Sequence, residues 1–122
     1  MTTHVGRYYI VLNSHSPRIF VPKCDFISTV GWGQGGADAR TRLGLPGGGP
    51  KYCVTPLCIM DFSEDEKRMR LRSVHPGVSV ADVQRQTGFP LVIPDEVPTT
   101  PLPTSRELDV LRSRVDWVGA LR

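Results

Sequence analysis

Cysteine is the residue of this chain best suited to hold a metal. Cys53 and Cys58 have four residues between them, a separation within the range of zinc ligands. No second pair follows them, and Cys24 and the three histidines are scattered along the chain. The cysteines also lie inside apolar runs. We therefore predict buried, reduced structural thiols and no metal site.

Nucleophilic catalysis has weak support. No Gly-x-Ser-x-Gly motif is present. Cys24 or Cys58 could pair with His75 in space, but nothing singles out such a dyad. His75 stands before Pro76-Gly77, so we predict a turn residue that hydrogen-bonds nearby backbone. The acidic run 64–66 lies in a solvated turn, without the pocket that tunes a general base. We assign no catalytic residue.

Two glycine-rich stretches could let the backbone approach a ligand closely. Residues 31–36 match Gly-x-Gly-x-x-Gly, but the following helical stretch, 37–43, is too short for a crossover helix. No acidic residue stands about twenty positions on to hold a ribose, so a dinucleotide fingerprint is rejected. Residues 47–49 lack the Gly-Lys-Ser/Thr of a phosphate-binding loop. Because loops after strand ends host ligands in open α/β sheets, the candidate substrate-binding residues are Trp32, Gly33, Gly47, Gly48 and Gly49.

The elements that must position these loops begin with predicted strands. Residues 7–12 are apolar on both alternating faces, which suits a strand covered on both sides, as in a parallel sheet. Residues 18–21 and 25–30 are two shorter strand candidates. Residues 52–62 read as an extended segment, and the alternation over 67–74 predicts a second strand that pairs with it in a β-hairpin.

Two capping boxes predict the helices. Ser79 and Asp82 begin a helix within residues 78–87, which Gly88 can end. Thr104 then begins a terminal helix over 104–115, with Leu108, Leu111 and Val115 at helical spacing.

Length and composition limit the domain organisation, the partners and the location that we expect. The chain has 122 residues, so we expect one domain over 1–122, with a glycine-rich loop region at 31–50 and an extended proline-rich segment at 94–103. The net charge of +3 is spread among acidic residues, so we predict no nucleic-acid partner. No apolar run reaches about 18 residues and no secretory signal precedes residue 8, so we expect no membrane partner and a soluble, cytoplasmic protein.

From residue 47 onward the segments acquire a specific resemblance. The run 47–50, Gly-Gly-Gly-Pro, leads into Cys-Val-Thr-Pro-Leu-Cys-Ile-Met-Asp-Phe at 53–62, and then into Met-Arg-Leu-Arg-Ser-Val-His-Pro-Gly-Val at 69–78. This ordered combination closely resembles the carboxyl-terminal half of the β subunit (the B subunit) of glutamate-dependent CoA-transferases, particularly the glutaconate CoA-transferase group. Residues 9–12 and 18–28 also resemble that subunit.

The resemblance implies a fold, a partner and a chemistry. The fold is α/β and of the CoA-transferase (NagB/RpiA-like) type, with a largely parallel sheet, flanking helices and a β-hairpin. The partner is a CoA-transferase α subunit in a hetero-oligomer. In that family a glutamate attacks the acyl-CoA, becomes a CoA thioester and passes CoA to a second carboxylic acid. Acyl-CoA is then a substrate, and no separate cofactor is expected.

The resemblance also implies that this chain is inactive alone. The family's catalytic glutamate lies in the amino-terminal half of the β subunit, and none of Glu64, Glu66, Glu96 and Glu107 matches it. Two alternatives stay open beside the CoA-transferase component. One is a subunit of a CoA-dependent ring-opening hydrolase of steroid catabolism, and the other is a non-catalytic interaction module that keeps the subunit interface.

Overall fold

The computed structural model describes residues 5–120, so His4 lies outside the described residues. The elements follow the order β1 Tyr8–Val11, α1 Ala39–Arg42, β2 Pro50–Val54, β3 Cys58–Phe62, β4 Met69–Val74, α2 Val80–Arg85, α3 Ser105–Val110 and a π-helical turn, Leu111–Val115. No helix within residues 5–120 has the length and apolar character needed to cross a membrane.

The four strands form one sheet in the order β1-β2-β3-β4. β1 runs parallel to β2, while β2 and β3, and β3 and β4, are antiparallel. The α/β class and the predicted hairpin of β3 with β4 are confirmed, but the expectation of a largely parallel sheet is wrong for this part of the chain. The three residues between β2 and β3 permit only a tight reversal, whereas the long connection from β1 to β2 has room for a crossover.

The two short strand candidates near the amino terminus are also wrong. Residues 18–21 form a turn in which the N–H groups of Ile19 and Phe20 donate to the Ser16 carbonyl. Residues 25–30 contain no strand, and Phe26 is 84 % exposed. The apolar residues of these two segments therefore lie at the surface or pack locally, because no strand in the described chain pairs with them.

The core lies on one face of the sheet, under α2 and the turn at Phe20. Its buried residues are Phe20, Cys53, Cys58, Met60, Leu71, Val74, Val83 and Leu91. Burying one such large side chain contributes about 1.5–3 kcal/mol. Cys53 and Cys58 are buried as predicted, whereas Cys24 is exposed, because the segment that carries it does not join the sheet.

Both capping boxes are present. The Ser79 and Thr104 hydroxyls accept the N–H groups of Asp82 and Glu107, and each carboxylate bonds back to its capping residue. These hydrogen bonds hold the pKa of both carboxyl groups below the ordinary value. The helix α2 is shorter than the 78–87 stretch, at Val80–Arg85. No residue of α3 or of the π-helical turn is buried.

Candidate functional site

A buried arginine organises the glycine-rich loops. Arg40 in α1 is 3 % exposed, and its guanidinium donates to three backbone carbonyls. Nη1 reaches the Gly31 oxygen at 2.9 Å, Nη2 the Pro46 oxygen at 3.0 Å and Nε the Gly47 oxygen at 3.3 Å. The planar fork of an arginine suits three acceptors in different directions. Arg40 therefore ties the loop around residue 31 to the loop around residue 47.

The second of these loops also crosses the chain just before β1. The Gly48 N–H donates to the Gly6 carbonyl at 2.5 Å, and the Tyr8 N–H donates to the Gly49 carbonyl at 3.3 Å. Gly47 has a φ of +75°, and a Cβ there would stand 2.4 Å from the Gly6 Cα. Only a residue without a side chain permits this crossing.

The turn between β3 and β4 closes over the first glycine loop. The Gly36 N–H donates to the Glu66 carbonyl at 2.9 Å. Lys67 has a φ of +56°, in the left-handed region that a non-glycine residue seldom occupies. Its ammonium lies 5.0 Å from the centre of the Trp32 ring, within cation–π range. The Trp32 indole N–H donates to the Pro50 carbonyl at 3.2 Å, which fixes the ring.

These contacts frame an open cleft of about 480 Å³, which we call the basic cleft. It is lined by Arg7, Trp32, Gly48, Pro50, Lys51, Tyr52, Asp61, Phe62, Glu64, Lys67 and Arg70. Four of these side chains are cationic and two are acidic. Aromatic rings from Trp32, Tyr52 and Phe62 stand among the charges. Such a lining suits a ligand that carries both negative charge and a planar or apolar group.

One acidic group of the basic cleft is already neutralised. Asp61 is buried and accepts two hydrogen bonds from Arg70, at 2.8 and 2.9 Å, and a third from Arg72 at 3.4 Å. The bidentate bond raises the pKa of Arg70, so this guanidinium stays charged. Within residues 5–120, no ion pair involves Arg7, Lys51 or Lys67. The cleft therefore keeps a net positive charge available to a ligand.

The structure separates the five predicted substrate-binding residues. Trp32 and Gly48 line the basic cleft. Gly33 lines a second, apolar depression with Ile27 and Leu43. Gly47 and Gly49 instead provide close packing, against Gly6 and against the Arg40 side chain. Substrate binding by these residues stays a prediction.

The cations of the basic cleft were not predicted from the sequence. Lys51 and Lys67 come from β2 and from the β3–β4 turn, and nothing in their spacing shows that they meet. The sequence did contain one signal, a basic residue directly before an aromatic one at 51–52. In the structure the Lys51 ammonium lies 5.1 Å from the centre of the Tyr52 ring.

The histidine that the Cys58 thiol contacts is His15, with 3.9 Å between Sγ and Nδ1. Burial raises the pKa of the Cys58 thiol, and burial with the nearby Cys58 raises that of Cys53 to about 11. Both thiols are therefore protonated and poor nucleophiles. His75 bonds the Thr55 carbonyl at 2.9 Å, in agreement with its predicted bonding to backbone. Within residues 5–120, no group of three histidine, cysteine or acidic residues is arranged to hold a metal.

His15 joins three parts of the fold. The Thr87 hydroxyl donates to the Val83 carbonyl, so it accepts from His15 Nε2, 3.0 Å away. His15 Nδ1 lies 2.9 Å from the Thr55 hydroxyl, which also donates to the Cys58 carbonyl at 3.3 Å. Burial lowers the pKa of His15 from its ordinary value of 6.5.

We expect stability to fall on acidification because of His15. The unfolded chain binds the His15 proton more tightly than the folded chain does. The contribution of His15 to the free energy of unfolding is therefore complete above pH 6.5, and it is lost as the pH falls through the lower pKa of the folded state. Urea midpoints measured between about pH 7.5 and pH 5 should therefore decrease, and H15Q should flatten the profile. The capping carboxylates titrate at lower pH, below the ordinary 3.8 and 4.5. An equal slope in the wild type and H15Q would contradict the assignment.

The α/β fold matches that of a solved CoA-transferase. The structure superimposes on glutaconate coenzyme A-transferase from Acidaminococcus fermentans with a TM-score of 0.83 at 33 % identity, over 97 % of this chain and 45 % of that one. No protein-family model matches the chain.

Curated sequences show which CoA-transferase subunit the chain is similar to. The chain is 40 % identical over 104 residues to the B subunit of 3-oxoadipate CoA-transferase from Pseudomonas knackmussii, and 37 % identical over 110 residues to the B subunit of glutaconate CoA-transferase from Acidaminococcus fermentans. The matches cover 85 % and 88 % of this chain and 40 % of each relative. A cholesterol ring-cleaving hydrolase IpdB subunit of Mycobacterium bovis is 30 % identical, over 93 % of this chain and 43 % of that one. CoA-transferase B subunits are therefore homologues of this chain, which spans about two fifths of their length.

Proposed function

We propose that this chain is a β-subunit-like component of a CoA-transferase that moves CoA between an acyl-CoA and a carboxylic acid. The observation that carries the proposal is the 40 % identity to the B subunit of 3-oxoadipate CoA-transferase over 85 % of the chain. The ring-cleaving hydrolase subunit is less similar, at 30 % identity, so transfer is favoured over hydrolysis.

In this proposal the basic cleft binds the anionic part of acyl-CoA. The phosphates of CoA need cations, and Lys51 and Lys67 both line the cleft without ion-pair partners in residues 5–120. The adenine ring or acyl group requires an apolar or aromatic surface, which Trp32 and Tyr52 offer. Acyl-CoA enters as a substrate, and no separate cofactor takes part.

The chain supplies binding rather than the nucleophile. Glu107 serves as a helix cap, and its pKa is held low by Thr104. Glu66 pairs with Arg68 at 3.5 Å. Glu64 lies at the rim of the basic cleft, in a solvent-facing turn. Glu96 is exposed on the proline-rich segment. None of these four is a desolvated carboxylate aimed into a cavity, so the covalent step is assigned to the amino-terminal half of a β subunit and not to residues of this chain.

The proposed partner is a CoA-transferase α subunit, with which the chain forms a hetero-oligomer. The two CoA-transferase relatives are B subunits by name, which makes them parts of enzymes with a further subunit. The proposal places the assembly in the cytoplasm, where the three free cysteines are suited to reducing conditions.

The test is CoA binding to the purified chain by titration calorimetry. Replacing both cations in K51Q/K67Q keeps most of the side-chain volume and removes two charges, so we expect binding to weaken about tenfold or more. K23Q, which removes an exposed charge outside the basic cleft, should change the affinity by less than about twofold. Equal losses in both variants, or no binding of CoA by the wild type, would contradict the proposed use of the cleft.

A further inference from the structure

Asp61 is a buried acid to which two arginines bind, and the register of the sheet brings the three together. Asp61 on β3 stands directly opposite Arg70 on β4, and Arg72 follows two residues along the same strand. Alternate residues of a strand lie on one face, so both arginines share a face of the sheet with the carboxylate. Asp61 is 7 % exposed, whereas the side chains of Arg70 and Arg72 are 34 % and 55 % exposed. The carboxylate is therefore enclosed, while both arginines keep contact with solvent.

The hydrogen bonds to Asp61 occupy only one edge of the Arg70 guanidinium. Nε donates to Oδ1 at 2.8 Å, and Nη2 donates to Oδ2 at 2.9 Å. A guanidinium carries its N–H groups in one plane, so Nη1 and the second N–H of Nη2 form another edge that can donate in parallel. Within residues 5–120, Nη1 of Arg70 makes no hydrogen bond to the protein. Because Arg70 lines the basic cleft, this second edge is available to a ligand there.

The Asp61 carboxylate does not cancel the charge of both arginines. Nη1 of Arg72 lies 3.4 Å from Oδ2, so one carboxylate stands between two guanidinium groups and leaves a net positive charge. The Arg72 guanidinium also lies 5.4 Å from the centre of the Tyr52 ring. A buried carboxylate paired with arginine adds little net stability, because desolvation offsets the attraction. The main effect of the pair is therefore to fix the orientation of Arg70.

We infer that Arg70 is the oxyanion-binding residue of the basic cleft, and that Asp61 is the positioning residue that holds its open guanidinium edge toward a ligand. Such an edge donates two parallel hydrogen bonds to a carboxylate or a phosphate. The inference rests on the proposed function, because the substrates of a CoA-transferase carry both of these groups. Lys51 and Lys67 cannot make this contact, since an ammonium acts as a point charge.

The test is the sign of the change in anion affinity when Asp61 loses its charge. D61N removes a negative charge beside the cleft, so charge alone predicts tighter binding of an anion, whereas the loss of a positioning residue predicts weaker binding. We expect D61N to weaken the binding of inorganic pyrophosphate or of benzoate by about fivefold or more, because an amide cannot accept from both Nε and Nη2. Pyrophosphate represents the phosphates of CoA, and benzoate represents a carboxylic acid with a planar group.

The matched control for the charge is Glu64, the other acidic residue of the basic cleft. Glu64 makes no ion pair within the described part of the chain. E64Q therefore removes a negative charge without releasing an arginine, and it should tighten the binding of the same anion by up to about threefold.

Lysine variants keep the test decisive where D61N folds poorly. R70K keeps the charge but not the guanidinium edge, so it should weaken the anion by about tenfold. R72K makes the same change at the other arginine on Asp61, which does not line the basic cleft, and should change the affinity by less than about twofold. Affinities are read by NMR titration of the Trp32 indole N–H, which lies in the cleft. The urea midpoint of each variant separates a loss of fold from a loss of affinity.

The anion that loses more affinity in R70K identifies the ligand group as a phosphate or a carboxylate. Three results would overturn the inference: no binding of either anion by the wild-type chain, binding by D61N at least as tight as by the wild type, or equal losses in R70K and R72K. Calorimetry with CoA is a separate measurement. A chain that binds CoA equally well in R70K would contradict this inference and leave the proposed function standing. Anion binding that depends on Arg70, in a chain that does not bind CoA, would contradict the proposed function alone.

Discussion

Replacing Arg40 by alanine is expected to lower the free energy of unfolding by about 3 kcal/mol. The side chain is 3 % exposed and donates to the carbonyls of Gly31, Pro46 and Gly47. A hydrogen bond from a charged donor contributes about 1.5–3 kcal/mol, and the three do not add fully. Removing the donor also leaves a void against Gly49, which packs on the Arg40 alkyl chain.

The matched control is Arg42, two residues further in α1. Its side chain is 57 % exposed and pairs with Asp38 at 3.0 Å, so R42A should cost less than about 1 kcal/mol. Because both positions lie in the same short helix, differences in helix propensity largely cancel. R40K should recover only a minor part of the loss, since one ammonium cannot reach three carbonyls that lie in different directions.

Urea unfolding of the three variants at one pH measures these differences. R40A should also weaken CoA binding, because two walls of the basic cleft, at Trp32 and Gly48, lose their common support. A loss in R40A no larger than that in R42A would show that the three carbonyl contacts contribute little.

Replacing Gly47 by alanine is expected to cost about 3 kcal/mol, and replacing Gly44 only about 1 kcal/mol. Both glycines lie in the left-handed region, at φ +75° and +65°, so an alanine meets a similar backbone penalty at either position. The new Cβ at Gly44 has open space around it, whereas at Gly47 it would stand 2.4 Å from the Gly6 Cα. The difference between the variants therefore isolates the backbone crossing.

The crossing anchors the start of β1, so G47A should also perturb the first residues of that strand. The Tyr8 N–H bond to Gly49 lies next to the displaced segment, and faster amide exchange at Tyr8 is expected in G47A but not in G44A. Urea unfolding measures the loss of stability, and amide exchange at Tyr8 separately measures the perturbation of β1. Equal destabilisation by both substitutions would mean that the Gly6 segment moves away at little cost.

Local patterns in the sequence predicted the elements whose causes are local. The two capping boxes at Ser79 and Thr104 are confirmed because each needs only residues three apart. The β3–β4 hairpin is confirmed because alternation and a polar turn occur together at 63–68. Residues 18–21 had the composition of a strand without a strand to pair with, and strand formation depends on that partner.

The basic cleft was only partly predictable for the same reason. Trp32 and Gly48 were candidates because they stand in glycine-rich loops, and both line it. Its cations come from separate elements. Lys67 reaches Trp32 because its backbone has a left-handed φ, which the amino-acid composition does not predict for a lysine. Arg40 was not singled out from the sequence, because its three carbonyl acceptors come together only in the folded loops.

The parallel pairing of β1 with β2 has a consequence for the order of folding. β2, β3 and β4 succeed one another through short connections, so their contacts close small loops and can form early. Pairing Val11 with Val54 instead closes a loop of roughly forty residues, with an entropic cost on the order of 3 kcal/mol before any contact compensates it. β1 is therefore expected to join a meander that has already formed, and until it does, the meander offers a free edge along β2.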